Sequence, residues 1–488
     1  MRASLIAMSL SLAGCALGPD FKPPAAPNVT GYLPGAAPAQ TVSAPGEFGA
    51  AQRFVKELDI QGQWWTLFQS QPLNDLIEQS IKANPNMAAA QAALRQAREN
   101  TLAQKGAYYP QISAGFSASR NLSPVAALSP SSPTGNPYYS LLTPQLNVSF
   151  VPDVFGANQR AVESLEAQAE NLKFQMEATY VTLTANVVTG ALQEASLRGQ
   201  IAATQETIKV ETDLLTILRK QYDLGQVSMA DVAAQESVLA QARLVLPPLQ
   251  KQLAQQRDAL IALAGGFPSE DIAARFQLMD MKLPRDVPLS LPSKLVEQRP
   301  DVRAAEETMH AASAQIGMAV AARVPQITLT ANVGNSANSF ANLFTPGTNF
   351  WTLMGGVTAP LFTGGTLLHK QRAAEAGFDQ AAAQYKATVI AAFQNVADAL
   401  HALQSDADAL VAAVASEQAA GRSLAIVRKQ LELGQVAYLA LLNAEQTYQQ
   451  AKLALVQAQA ARLSDTAGLF QALGGGWWNR PGAVVAVK

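Results

Sequence analysis

Three histidines and one cysteine are the side chains of this 488-residue chain with the sharpest intrinsic chemistry. His310, His369 and His401 stand on separate stretches with no metal-ligand spacing, so each reads as a packed or solvated helix residue. The chain has no phosphate loop, no nucleophile elbow and no His–Glu zinc motif. Asp406 and Asp408 read as a solvated helix face, and Gly474-Gly475-Gly476 as a helix terminator. No catalytic residue, no metal site and no energy-coupling site is expected from these residues. Cys15 is different. Met1-Arg2 is a short positive start, residues 3–12 are mainly apolar, and Leu12-Ala13-Gly14 precede the thiol. Small residues before a Cys at the end of a short hydrophobic segment form a bacterial lipoprotein cleavage site, so residues 1–14 read as a signal peptide. Cys15 then becomes a lipidated N-terminus, with covalent lipid as the sole expected prosthetic group. Ala16 rather than Asp follows, so nothing marks it for retention in the inner membrane.

A lipid anchor asks what it anchors. The chain is 15% charged and 49% hydrophobic, with a formal net charge of −2. A typical protein is about a quarter charged. The Ala-rich mixture suits helices packed on both sides, and the absence of a basic face excludes nucleic acid as a partner. Beyond the leader no run of 18 apolar residues occurs. A membrane-spanning part must therefore be a β-barrel. Residues 15–62 are rich in Pro, Ala and Gly, and read as an extended segment wrapping the body.

The body is written twice. Asn84-Pro85-Asn86-Met87 aligns with Arg299-Pro300-Asp301-Val302, and at the same offset of 215 Pro110-Gln111-Ile112 meets Pro325-Gln326-Ile327. The offset then becomes 209, and Arg219 to Val227 aligns with Arg428 to Val436 at seven identities in nine. The copies are placed at 63–275 and 276–475, with a tail at 476–488. In each copy a helix of about two dozen residues opens at a proline, Pro85 or Pro300, which suits a first helical turn. Two alternating segments follow, giving hairpins at 108–152 and 324–361. Ile112, Ala114 and Phe116 oppose Ser113, Gly115 and Ser117, and Ile327, Leu329, Ala331 and Val333 oppose Thr328, Thr330, Asn332 and Gly334. Period-two alternation over ten to twelve residues is the length of a tilted membrane strand. The intervening Ser-, Asn-, Gly- and Pro-rich stretches would be extracellular loops.

A proline-free helix follows each hairpin, over residues 157–223 and 366–432. At 1.5 Å per residue each would be roughly 100 Å long. Val162, Leu165, Ala169, Leu172, Met176, Thr179 and Leu183 form one coiled-coil seam, and Val181, Ala185, Val188 and Leu192 a second on another face. Two seams imply neighbours on both sides, as in a curved wall. Gly225 and Gly434 end the two helices and the chain turns back, giving helical hairpins over 157–264 and 366–472. Ser228-Met229-Ala230-Asp231 offers a capping box to the first return helix, and Pro247-Pro248 should break or kink it. Four strands cannot close a barrel, which needs about eight. Open edges are forbidden in a bilayer, so the chain must form a cyclic oligomer. Three copies give twelve strands and twelve helical segments, a ring about 38 Å across at roughly 10 Å per helix.

The run Leu291-Pro292-Ser293-Lys294-Leu295-Val296-Glu297-Gln298-Arg299-Pro300-Asp301-Val302 resembles the central signature of the NodT-type, TolC-like outer-membrane efflux channels. So do Ala359-Pro360-Leu361-Phe362-Thr363-Gly364-Gly365 and the start from Cys15 to Pro24. The resemblance covers essentially the whole mature chain. It implies an α+β membrane protein: a homotrimer with four transmembrane strands per chain in a twelve-stranded barrel, a coiled-coil α-helical periplasmic barrel and an equatorial domain. It further implies that the channel conducts drugs and toxic small molecules from an inner-membrane pump, often of the resistance–nodulation–division class, and a periplasmic adaptor. By the same resemblance Leu439 is an apolar constriction at the periplasmic tip, and Gly225-Gln226 and Gly434-Gln435 are tips that meet the adaptor. Asn443 falls where many relatives carry an Asp ring, a departure that puts cation-sensitive closure in doubt. Two other readings stay open on the residues alone: a type I protein-secretion exit duct, and a periplasmic adaptor lipoprotein.

Overall fold

Alternating residues after Pro110 and Pro325 and long proline-free stretches after each alternation dictate a short order of elements. The computed structural model describes residues 16–35, 38–122 and 138–480. The strands are β1 (Arg53–Lys56), β2 (Gln111–Leu122), β3 (Tyr138–Phe150), β4 (Asp286–Leu289), β5 (Gln326–Asn335) and β6 (Asn349–Thr358). The first helices are α1 (Gln71–Ala83), α2 (Pro85–Lys105), α3 (Ala157–Asp223) and α4 (Met229–Leu263). They are followed by α5 (Pro292–Gln298), α6 (Pro300–Ala321), α7 (Thr366–Glu432) and α8 (Tyr438–Ala472). Cys15, the leader at 1–14, part of the first hairpin's loop and the end of the tail lie outside the described residues.

The chain divides into two units. The first comprises Met1–Pro24, Leu94–Asn171 and Ala305–Tyr385. Its centre is an antiparallel sheet in the order β2-β3-β5-β6. The register runs from Gln111↔Ser149 to Leu122↔Tyr138, from Gln145↔Gly334 to Phe150↔Leu329, and from Gln326↔Thr358 to Asn335↔Asn349. Residues directly opposite share a face. One face therefore carries Ile112, Phe116, Leu146, Val148, Leu329, Val333, Trp351 and Leu353, and the other Ser113, Asn147, Thr330, Asn332 and Thr352. The N-terminal segment crosses α6 in this unit at a glycine pair. A Cβ on Gly18 would lie 2.4 Å from the Gly317 Cα, and one on Gly317 would strike Arg160 and the Leu17 carbonyl. The Arg160 side chain, 4% exposed, clamps the crossing by donating to the Leu17 carbonyl at 3.1 Å and pairing with Asp20 and Glu163 at 2.7 Å.

The second unit comprises Ala25–Ala93, Leu172–Ala304 and Lys386–Lys488. Trp64, Trp65 and Phe68, on a 3-10 turn, are fully buried, and Trp64 stacks on Phe470 at 5.2 Å between centroids. The second seam of α3 is buried throughout: Val181, Ala185, Val188 and Leu192 are at most 5% exposed. The segment read as an extended wrap is more structured than its composition indicates. β1 pairs in parallel with β4, and Arg53 grips Asp286 with two hydrogen bonds of 2.8 and 2.9 Å. Gln52 and Arg462, both fully buried, converge on the Thr41 hydroxyl at 3.0 Å each. Gln52 also donates to the Pro284 carbonyl and Thr466.

Two sequence expectations need correction. α4 runs unbroken through Pro247 and Pro248. Two amide donors are lost there, but residues 243–245 are exposed, so the freed carbonyls meet water instead of an apolar core. Asp406 is not on a solvated face. Its Oδ2 is buried, and it faces Asp465 and Arg462 on α8, whereas Asp408 is exposed. The triple glycine does end α8, with the Gly475 N–H donating to the Phe470 carbonyl at 2.8 Å, and a short 3-10 turn at Trp477–Asn479 follows. α7 contains one 18-residue window apolar enough by composition to cross a membrane. That window is 22% buried within the chain. Its alanine-rich surface suits contact with further helices.

Candidate functional site

The candidate surfaces are the sheet and the helical turns, and each follows from local sequence. At the turns, Gly225 and Gly434 adopt φ of +73° and +69°. A Cβ on either would meet nothing within 4 Å, so glycine is required by conformation and not by space. The Gln226 and Gln435 amides donate back to the carbonyls of Gln221 and Gln430 at 2.8 and 2.9 Å. This closes the same Schellman turn at both tips. Each turn leaves a leucine bare, Leu224 at 73% and Leu433 at 61% exposed. These two leucines are equivalent in the duplication and were not singled out from sequence, although the Leu-Gly-Gln-Val repeat contained them. The capping box expected at Ser228 is present, with Asp231 accepting from the Ser228 amide at 3.0 Å.

Leu439 and Asn443 stand four residues apart at the start of α8, hence on one helix face. Both are exposed, Leu439 at 62%. Beside them lies a polar network that sequence reasoning missed. The Tyr438 hydroxyl donates to Gln235 Oε1 at 2.9 Å. The Gln235 amide in turn donates to the Glu211 carboxylate at 2.6 Å and carbonyl at 2.8 Å. Gln235 and Glu211 are buried, and burial pushes up the pKa of both Glu211 and Tyr438. Arg428 pairs with buried Glu445 nearby. Tyr438 also packs against the apolar clusters of both helical hairpins, Leu215–Leu218–Val232–Leu239 and Leu424–Leu441–Ala444. One side chain thus ties the first-copy tip to the second. Nothing in a single helix pattern marks Gln235 or Glu211 as partners, because the network exists only once two hairpins are laid together.

The sheet is the other surface. Its apolar face is uncovered: Ile112 is 71%, Trp351 75% and Leu353 74% exposed. β2 and β6 each pair on one side only within the chain. A sheet with a bare apolar face and two unsatisfied edges is a segment of a larger barrel.

His310 stacks on Phe21 at 4.4 Å and lies 3.2 Å from both Glu163 and Glu307. His369 and His401 are exposed. Among the described residues no group of His, Cys, Asp and Glu is arranged to hold a metal ion. A cavity of about 540 Å³ between α3, α7 and α8 is lined in part by Asp398, Asp465, Asn395 and Gln471, and is open to solvent.

Residues 76–266 and 291–475 match the family described as outer membrane efflux protein. The chain is 30% identical over 485 residues to the toluene efflux pump outer membrane protein TtgC of Pseudomonas putida, covering 98% of this chain and 96% of that one. It is 28% identical over 478 residues to the cation efflux system protein CusC of Escherichia coli, covering 96% and 97%. Among solved structures, the outer membrane protein VceC of Vibrio cholerae superposes with a TM-score of 0.79 at 26% identity, over 85% of this chain and 99% of that one. The outer-membrane channel OprN shares the fold with a TM-score of 0.84 at 23% identity, over 95% and 100%.

Proposed function

Because the chain belongs to the outer membrane efflux protein family, we propose that three copies close into one duct through which small molecules leave the cell envelope. The chain is the outer-membrane channel component of an efflux system. The observation that carries the trimer is the four-stranded sheet with its bare apolar face and two open edges. Three sheets joined β6 to β2 remove every edge and give twelve strands, enough to leave a lumen that eight would fill with side chains.

The remaining roles rest on this frame. The tips at Gly225-Gln226 and Gly434-Gln435 receive a periplasmic adaptor, supported by the exposed Leu224 and Leu433 that each tip presents. The adaptor connects the duct to an inner-membrane pump of the resistance–nodulation–division class, which supplies the energy. The duct performs no reaction. Leu439 and Asn443 form the constriction, supported by their shared exposed face at the start of α8. Efflux relatives at full-length coverage favour small-molecule cargo over a secreted polypeptide. The four strands and the family match set aside the adaptor reading.

Cys15 carries the lipid that holds the N-terminal segment at the membrane. Cys15→Ser should abolish incorporation of labelled fatty acid while the barrel still inserts. Unchanged label would remove the lipid site. The duct itself is tested on purified protein: a heat-dissociable trimer that forms ion-conducting channels in planar bilayers is expected. A stable monomer without conductance would overturn the reading.

A further inference from the structure

Efflux through a trimeric duct leaves open where charge selection takes place, and the strands bear on that question. Between residues 111 and 152 the only Asp, Glu, Lys, Arg or His is Arg120, and between 324 and 368 there is none. These stretches contain all four strands of the large sheet and both of the loops that join them in hairpins. Arg120 belongs to the face of Phe116 and Ala118, and its guanidinium reaches the Ser140 hydroxyl at 3.4 Å. The opposite face therefore carries no ionised side chain at any strand position. One straight row across the sheet, Ser113–Asn147–Asn332–Thr352, consists of hydroxyls and amides alone. All four members are at least partly open to solvent.

We propose that the membrane-spanning section of the duct is a charge-blind exit, lined at this row by a belt of amides and hydroxyls that passes anionic, cationic and neutral solutes alike. The inference rests on the trimeric barrel, in which the apolar face meets lipid and the polar face the lumen. Rings of like charge in a narrow bore generate potentials of several kT, which enrich one sign of solute by tenfold or more. Three copies of this chain create no such ring in the barrel. Two asparagines per copy give six amides, each able to turn its N–H₂ toward an anion or its carbonyl toward a cation. Hydroxyls on Ser113 and Thr352 do the same. Any discrimination by charge is then confined to the parts of the duct outside these four strands and the loops that join them in hairpins, because Arg120 is the one acidic or basic side chain those stretches contain.

The test uses full-length trimer in lipid nanodiscs carrying one engineered thiol, Asn147→Cys, Asn332→Cys or Val148→Cys, with the parent as background for Cys15. Each is reacted with a cationic and an anionic methanethiosulfonate of similar size. The ratio of the two rates is compared with the ratio on a free small thiol. At 147 and 332 the two ratios should agree within about threefold, well below the bias a charged ring imposes. A larger bias of either sign at these positions overturns the proposal, and so does silence at both, since a bore open to solutes is open to the reagent. Val148→Cys faces lipid and should be inert. If 148 reacts and 147 and 332 do not, the faces are inverted and the barrel itself is wrong. Biased reaction at 147 with 148 inert leaves the barrel standing and removes only its neutrality.

Discussion

Asp406 shows how a single residue escapes a reading by periodicity. Burial, then a hydrogen bond shared with Asp465 and the repulsion of its charge, raise its pKa to about 7, while Arg462 opposes the shift. In the unfolded chain an aspartate titrates near 4. The folded state therefore binds more protons between these limits, and stability must fall as pH rises through that window. The contribution is fully present below about pH 4 and lost above about pH 7. Asp406→Asn, which keeps the hydrogen bond and discards the charge, should roughly halve the loss of melting temperature between pH 5 and pH 8. Equal losses in parent and variant would show that the pair is solvated in the trimer. Two residues apart on a helix, Asp406 and Asp408 point to nearly opposite sides of α7, and α8 brings Asp465 and Arg462 to the side of Asp406 while Asp408 stays exposed. Leu439 and Asn443 are singled out by a short motif, not by their own chemistry. If three Leu439 side chains close the constriction, Leu439→Ala widens it and raises single-channel conductance severalfold, with leakage of large antibiotics. Asn443→Asp adds a ring of three carboxylates and should bring block by millimolar divalent cations, with less block in the parent. Parent-like conductance in both variants would place these residues outside the constriction.

Among the elements, length and punctuation decided what could be read. α3 and α7 follow from 67 residues without proline, closed by a left-handed glycine. The strands of the large sheet follow from alternation, since one face is apolar and the other polar at nearly every step. β1 and β4 were invisible for the converse reason. Each has four residues, and they pair in parallel across more than two hundred intervening residues. Composition reported only Pro, Ala and Gly around β1. At α4 the proline pair does not break the helix, because the carbonyls that the prolines free lie on an exposed stretch and meet water. The tips are the elements whose function is most exposed to test. Proline at Gly225 or Gly434 demands a negative φ where the chain has +73° or +69°, and removes the amide that donates to Tyr222 or Leu431. The cost is about 3 kcal/mol, confined to the end of a long hairpin. Gly225→Pro and Gly434→Pro should therefore leave the trimer intact while lowering drug resistance and crosslinking to the adaptor together. Normal resistance in both would mean that the adaptor docks elsewhere.

For the whole molecule, the decisive asymmetry is between the two faces of one sheet. Trp351 and Leu353 point to one side of β6 and Thr352 to the other, and all three are exposed in the single chain. A soluble sheet would treat a lysine at position 353 as an improvement, since it replaces a bare leucine with a solvated charge. A barrel in lipid treats it as a defect. A lysine at mid-depth on the lipid face costs about 2–4 kcal/mol, and threefold symmetry repeats that cost in each copy. Leu353 pairs with Ala331 near the middle of both strands, so it sits where the penalty is largest. Leu353→Lys should therefore sharply reduce the heat-dissociable trimer recovered from outer membranes. Thr352→Lys, one residue away but facing the lumen, should assemble at parental levels and shift ion selectivity toward anions. The neighbouring pair also separates misfolding from misplacement, since both variants add the same side chain to the same strand. Equal recovery of the two trimers would contradict a lipid-facing Leu353, and with it the closure of three sheets into one barrel.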